Sequence, residues 1–252
     1  MRFHPAEPFI RADFKTYMSF NSIRTISFDA TGTLFDPFPS IGAIYSEVLQ
    51  NHGVFMTEPE LEMRFMAEFH KSRMHSPGTI NESVERERWT EVVQAILGNE
   101  YQDALFEMLW KTMGEGYRWK PKPRLKRTLQ ALKDEGFRLI IVSNWDQRLY
   151  GILENLKLRD FFDGVFISTE LGMEKPSVSI YHKVAELLGA TPSSLLHLGN
   201  SMSNDFTPSL RAGWNSLLLH NRIPHGMEPG TVLGSIDQLP EVLKSEQANH
   251  ST

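Results

Sequence analysis

Ile26-Ser27-Phe28-Asp29-Ala30-Thr31-Gly32-Thr33-Leu34-Phe35 is the stretch on which the fold turns. Thr25 to Phe28 is a short β-rich run, as expected of a buried strand. The run stops at a carboxylate, and a glycine follows three residues later. Open parallel α/β sheets bind ligands in the crevice beyond the carboxyl ends of their strands. Asp29 is therefore the first candidate for chemistry. Taken alone, Asp-x-Thr-Gly fits equally a strand that closes in an Asp-capped turn.

Downstream of this stretch the chain divides by pattern. Asp36-Pro37-Phe38-Pro39 reads as an exit linker, because two prolines in three residues resist continuous helix. Apolar residues then recur at helical spacing four times: Ile41 to Leu49, Leu61 to Phe69, Trp89 to Leu97 and Leu105 to Met113. Thr57-Glu58-Pro59-Glu60 reads as the capped start of the second helix. No strand pattern appears between Pro37 and Tyr117, and Trp119 to Pro123 reads as a return linker. The expectation is a helical cap over residues 37–117, set into an α/β core made of 21–36 and 118–252.

After residue 123 strands and helices alternate. Leu139-Ile140-Ile141-Val142, Val165-Phe166-Ile167, Leu195-Leu196-His197-Leu198 and Ser216 to Leu219 read as strands. Helices are expected at 125–132, 147–157, 178–188, 204–212 and 236–245. Alternation of this kind predicts a Rossmann-like parallel sheet with helices on both faces. Polar clusters fall at successive strand ends: Asp29, then Ser143-Asn144, then Glu174-Lys175-Pro176, then Gly199-Asn200-Ser201-Met202-Ser203-Asn204-Asp205. Strand ends in a parallel sheet share one edge, so these clusters are expected to converge on one crevice.

Composition excludes several classes. The chain has 252 residues, 40% hydrophobic and 23% charged, ample for a buried core. A net charge of −5 gives no basic field for nucleic acid. The absence of cysteine removes disulfides and thiolate catalysis; a cytoplasmic location is the compatible expectation. No apolar run is long enough to span a bilayer. Residues 1–20 read as an N-terminal extension, with 1–17 a loose arm, an over-called start or a docking segment.

The four clusters resemble the four motifs of the haloacid dehalogenase-like superfamily. Asp29 to Phe35 matches motif one, Asp-x-Asp-Gly-Thr-Leu-Phe, except that Thr31 stands in place of the second Asp. Ser143 with Asn144 resembles motif two, Lys175 before Pro176 motif three, and Gly199 to Asp205 motif four. The 113 residues from 30 to 142 fit the branch with a helical cap between motifs one and two. The resemblance implies that Asp29 is a nucleophile forming an aspartyl-phosphate, that Ser143 and a neighbouring amide hold a phosphoryl oxygen, and that Lys175 steadies negative charge. Thr31, Gly32, Ser143, Asn144 and Lys175 are thus the implied phosphate-binding set. It also implies Mg²⁺ held by Asp29, the Thr31 carbonyl and motif four, here Asn200 and Asp205.

Two departures keep alternatives open. Thr31 does not titrate near neutral pH, so it cannot serve as the acid/base that is worth about 10²–10⁴-fold in related phosphatases. Asn200 removes one formal charge from the metal set. A slow Mg²⁺-assisted phosphatase acting on a small phosphate ester is the leading expectation. A 2-haloacid dehalogenase, whose motif Asp-Ala-Tyr-Gly-Thr-Leu-Phe-Asp lies close to Asp29–Asp36, and a non-catalytic binding protein are the alternatives. Arg64, Arg73, Arg86 and Arg88 are candidates for a halide-binding cap residue, each read as a solvated helix-face charge. Trp145 reads as a pocket wall or a packed rim aromatic, Asp146 as a helix cap and His197 as a packed core residue. Trp89 and Trp110 read as helix-packing residues. His70 and His75 lack the spacing of a zinc site.

Overall fold

We describe the protein from a computed structural model. The structure describes residues 20–74 and 78–248; the expectations for residues 1–17 and His75 lie outside them. The first strand, β1 (Thr25–Phe28), is buried throughout and gives way at once to the Asp29 loop. β2 (Phe35–Pro37) leads into four helices: α1 (Ile41–Gln50), α2 (Glu58–Ser72), α3 (Glu82–Leu97) and α4 (Asp103–Met113). β3 (Trp119–Pro121) brings the chain back. Then follow α5 (Leu125–Asp134), β4 (Arg138–Ser143), α6 (Arg148–Asn155), β5 (Gly164–Ile167), α7 (Ser168–Leu171), α8 (Val178–Leu188) and β6 (Leu195–Gly199). The chain closes with α9 (Thr207–Arg211), β7 (Asn215–Leu219), β8 (Val232–Leu233) and α10 (Leu239–Ala248).

Among the described residues, six strands form one sheet in the order β5-β4-β1-β6-β7-β8, each pair parallel. β1 lies in the middle, hydrogen-bonded to β4 on one side and β6 on the other. The pleat sends Leu139 and Ile141 into a core beneath α5 and α10, and Ile140 and Val142 into a second core beneath α8 and α9. A strand apolar on both faces reads as a continuous hydrophobic run, as 139–142 does. No helix among the described residues is long and apolar enough to cross a membrane.

The four helices α1–α4 enclose their own hydrophobic cluster, built on Tyr45, Leu61, Phe65, Val93, Ile96 and Leu109. Ser40 caps α1 by accepting the Ala43 N–H, and Asn81 caps α3 by accepting the Val84 N–H. α3 therefore starts at Glu82, a full two turns before the apolar run at Trp89. Thr57 sits at the N-cap of α2 without a side-chain bond. The expected capping box does not form, because Glu60 is drawn to Arg64. The two linkers are also corrected. Phe35–Pro37 and Trp119–Pro121 pair as a two-stranded antiparallel ribbon, with Asp36 opposite Lys120. Proline is tolerated there because a two-stranded ribbon has only edges.

Candidate active site

Asp29 follows directly on β1, Ser143 ends β4, Lys175 lies in the loop before α8, and Asp205 lies in a π-type turn, Met202–Phe206, after β6. The parallel register brings all four to one rim of the sheet. Ser143 donates its hydroxyl to Asp29 Oδ1 at 2.8 Å. The Lys175 ammonium donates to the same Oδ1 at 2.6 Å and to Asp205 Oδ1 at 2.6 Å. Asp29 Oδ2 has no partner among the described residues. One lysine thus bridges two carboxylates, leaving a net charge of one negative at the rim.

Asn144 fixes that lysine. Its side-chain amide donates to the Lys175 carbonyl and accepts the Lys175 N–H, both at 2.8 Å. The Asn144 side chain is therefore committed, and its backbone N–H is what remains for a ligand; neither it nor those of Ala30 and Thr31 has an acceptor among the described residues.

Behind the rim lies a buried polar seam. His197 stands opposite Ser27 in the β1–β6 register. Its ring contacts Ser27 Oγ at 2.9 Å through Nδ1 and Asp205 Oδ1 at 3.3 Å through Nε2. Burial pushes the imidazole pKa down, so the ring is neutral. A carboxylate only accepts, so Nε2 carries the proton and Nδ1 accepts from Ser27. His197, a packed core residue by its mid-strand position, is also a holder of Asp205. Burial raises the Asp29 carboxyl above the ordinary range, against the pull of Lys175. Burial acts on Asp205 in the same sense, but Lys175 and His197 outweigh it and hold that carboxyl well below the usual range. Burial alone would lower Lys175; the facing Asp205 and Asp29 raise it instead, so it stays protonated.

Asp205, a metal ligand by the resemblance, accepts from Lys175 and His197 on Oδ1 and from the Ser201 N–H on Oδ2 at 2.9 Å, which leaves Oδ2 a further lone pair. It also holds Lys175 in place. Among the described residues no group of three or more His, Cys, Asp or Glu side chains could hold a metal. Oxygens with lone pairs to spare are those of the Asp29 and Asp205 carboxylates, the Thr31 carbonyl and the Asn200 side-chain oxygen, which also accepts the Thr33 hydroxyl at 3.5 Å. All are hard donors, which suits Mg²⁺, a cation that binds through one or two carboxylates and keeps several waters. The set fits the ion. Gly32 is required here. It has φ +84°, and a Cβ on it would lie 2.2 Å from the Asn200 amide nitrogen.

Thr31 does not face a ligand unaided. Its hydroxyl accepts the Trp145 indole N–H at 3.0 Å. Trp145 in turn packs edge-on against Trp119 at the base of the ribbon. Asp146 accepts from the Arg148 backbone N–H and pairs with its guanidinium at 2.7 Å. Arg73 and Arg88 are not solvated charges. Arg88 reaches across from α3 and grips Glu174 with both terminal nitrogens, at 2.8 and 2.9 Å, while Arg73 joins the same Glu174 and Glu85. Burying both charges is tolerable because each has an opposite partner. Arg86 pairs with Glu107 and Arg64 with Glu60, both partly exposed as expected. Glu174 adjoins Lys175 in sequence, the one available signal for this cluster; its partners on α2 and α3 are set only by tertiary packing.

Above the rim, between sheet and helical cap, lies a cavity of about 450 Å³ floored by Asp29, Ser143 and Lys175. Its upper walls are the aromatic faces of α2, α3 and α4.

A family model for haloacid dehalogenase-like hydrolases matches residues 23–213. The chain is 25% identical over 230 residues to haloacid dehalogenase-like hydrolase domain-containing protein 3 of Xenopus laevis, spanning 88% of this chain and 94% of the relative. It is 30% identical over 138 residues to glyceraldehyde 3-phosphate phosphatase of Methanothermobacter thermautotrophicus, spanning 49% of this chain and 59% of that protein. Its structure is similar to L-2-haloacid dehalogenase from Xanthobacter autotrophicus with chloropropionic acid covalently bound. The TM-score there is 0.71 at 17% identity, with 88% of this chain and 98% of the other covered. A likeness at that identity speaks to the fold.

Proposed function

The chain belongs to the haloacid dehalogenase-like hydrolase family, and from that premise we propose that it hydrolyses phosphate esters through Asp29. The observation that carries the reading is the split state of Asp29. Ser143 and Lys175 fix Oδ1, while Oδ2 is left free at the floor of the cavity. A carboxylate so held presents one oxygen in a set direction, as in-line attack on phosphorus requires. The unpaired N–H groups of Ala30, Thr31 and Asn144 suit the phosphoryl oxygens, and Lys175 counters charge that develops as the bond forms. Mg²⁺, held by Asp29, the Thr31 carbonyl, Asn200 and Asp205, would supply further charge neutralisation at the phosphoryl group.

Charge in the cavity favours this reading over haloacid chemistry. A 2-haloacid carries a carboxylate beside the reacting carbon and needs a cation to receive it. The pocket-lining guanidiniums of Arg73 and Arg148 are already paired with Glu85, Glu174 and Asp146. Purified protein with Mg²⁺ is expected to release phosphate from acetyl phosphate, and Asp29→Asn to abolish the release. Beryllium fluoride, a phosphoryl mimic, is expected to raise the melting temperature of the wild type and leave Asp29→Asn unmoved. Halide release from 2-haloacids that persists in a chelator, without phosphate release, would overturn the proposal.

A further inference from the structure

We infer that the leaving group accepted by this site is aryl: a phenol-like, largely apolar ring lodged in the cap against Phe69 and Trp89. The inference rests on Asp29 as the phosphoryl acceptor and adds the substrate class.

Two independent observations lead there. The first is the wall of the cavity. Phe65, Phe69 and Trp89 form a triangular cluster of near-parallel rings, with centroids 5.6 to 6.0 Å apart and planes within 28° of parallel. Glu85 accepts the Trp89 indole N–H at 2.9 Å and so fixes that ring. Most charge on the cap side is engaged: Glu62 accepts the Gly42 N–H through Oε2, Glu85 holds Arg73, and Arg73 lies over the Phe69 ring. Two weak hydrogen-bonding groups of the cap wall, the Tyr45 hydroxyl and the Trp110 indole N–H, have no partner among the described residues. A sugar or nucleoside would bury several hydroxyls here without partners, which is unfavourable. A flat ring with one polar substituent loses nothing and gains stacking contact.

The second observation concerns the leaving oxygen. Thr31 is not an acid; its hydroxyl oxygen accepts the Trp145 indole N–H, and its own O–H can donate a hydrogen bond but not a proton. Asp205 is ion-paired with Lys175 and Asp146 with Arg148, so both are carboxylates with no proton to give. Among the described residues no free acid stands ready beside Asp29 to protonate a departing alkoxide. The leaving group must therefore depart as an anion, which a phenol, with a pKa of about 10, does far more readily than an aliphatic alcohol. Asp29 Oδ2 bonds to phosphorus, the phosphorus–oxygen bond to the ring breaks, and its electron pair leaves on the phenolate, which takes a proton from solvent. Water then bonds to phosphorus, the bond to Asp29 breaks, and the water proton leaves with inorganic phosphate, restoring the carboxylate.

Steady-state kinetics on the full chain with Mg²⁺ test this, using 1-naphthyl phosphate, phenyl phosphate, glucose 6-phosphate and acetyl phosphate. The second ring of naphthyl phosphate is expected to raise kcat/KM about tenfold over phenyl phosphate, with glucose 6-phosphate at background. Phe69→Ala and Trp89→Ala should each reduce the naphthyl-to-phenyl ratio about fivefold or more, and Trp89→Phe should restore most of it. Turnover of acetyl phosphate together with glucose 6-phosphate as good as naphthyl phosphate, or a ratio unmoved by both alanine variants, would overturn the aryl assignment and leave the Asp29 reading standing. Failure of every substrate, with no beryllium fluoride protection, would remove the Asp29 reading and this inference with it.

Discussion

Thr31 is where this site departs most from an acid–base enzyme, and the environment has closed around the change. The Trp145 indole donates to the threonine hydroxyl, so the position is polar, ordered and uncharged. A carboxylate at 31 would accept the same indole N–H and bring a titratable oxygen beside the reacting group. Thr31→Asp is therefore expected to raise turnover of an alkyl phosphate by about 10²-fold. The gain on an aryl phosphate should be far smaller, since that leaving group needs less protonation. Parallel kinetics on the two ester types measure this; an equal loss on both would mean that the threonine is required as it stands. Asp29, Ser143, Lys175 and Asp205 were legible as a set because each follows a strand in a parallel alternation, which fixes the rim they share. The partner of Thr31 was not legible, since adjacency to Asn144 says where Trp145 begins but not where its ring nitrogen ends.

At the scale of elements, two of the devices that join the cap to the sheet escape the hydrophobic pattern. The first is the β2–β3 ribbon, where Lys122 pairs with Asp36 at 2.7 Å and Glu47 of α1 accepts both terminal nitrogens of Arg118. The second is the buried cluster in which Arg88 and Arg73 converge on Glu174, one residue from Lys175. Proline-rich strands three residues long leave almost no periodic trace, which is why both halves of the ribbon read as linkers. The cluster left none either, because an arginine on a helix looks the same in sequence whether it meets water or a carboxylate. Removing one partner of a buried pair strands the other, at about 3 kcal/mol or more. Arg88→Met is expected to lower unfolding stability by about that amount in denaturant melts. It should also weaken Lys175-dependent chemistry, because Glu174 anchors that loop. An unchanged midpoint would show that water already compensates these charges.

On the scale of the whole molecule, the parallel sheet with a helical cap was readable because hydrophobic pattern alone specifies it: continuous runs for strands buried on both faces, and 3.6-residue periods for the cap. What pattern could not specify is how the two parts meet. The cap cluster and the core cluster are nearly separate; Met113, at the end of α4, packs against both. Much of the remaining interface is the cavity itself, rimmed by the Glu174 cluster and by Glu82, which accepts the Gln147 N–H. An interface built of cavity and ion pairs carries little apolar burial, so cap opening draws mainly on polar contacts that water can replace. Stability then divides between the two parts, and local opening free energies differ between contiguous units. Native-state hydrogen exchange is expected to show α2 and α3 exchanging as one unit, at a lower opening free energy than β1, β4 and β6. In Arg88→Met that gap should widen, while the β-strand amides follow only the global loss. Equal opening free energies for the cap helices and the central strands would mean that cap and sheet unfold as a single body, and that the cavity is not a hinge plane.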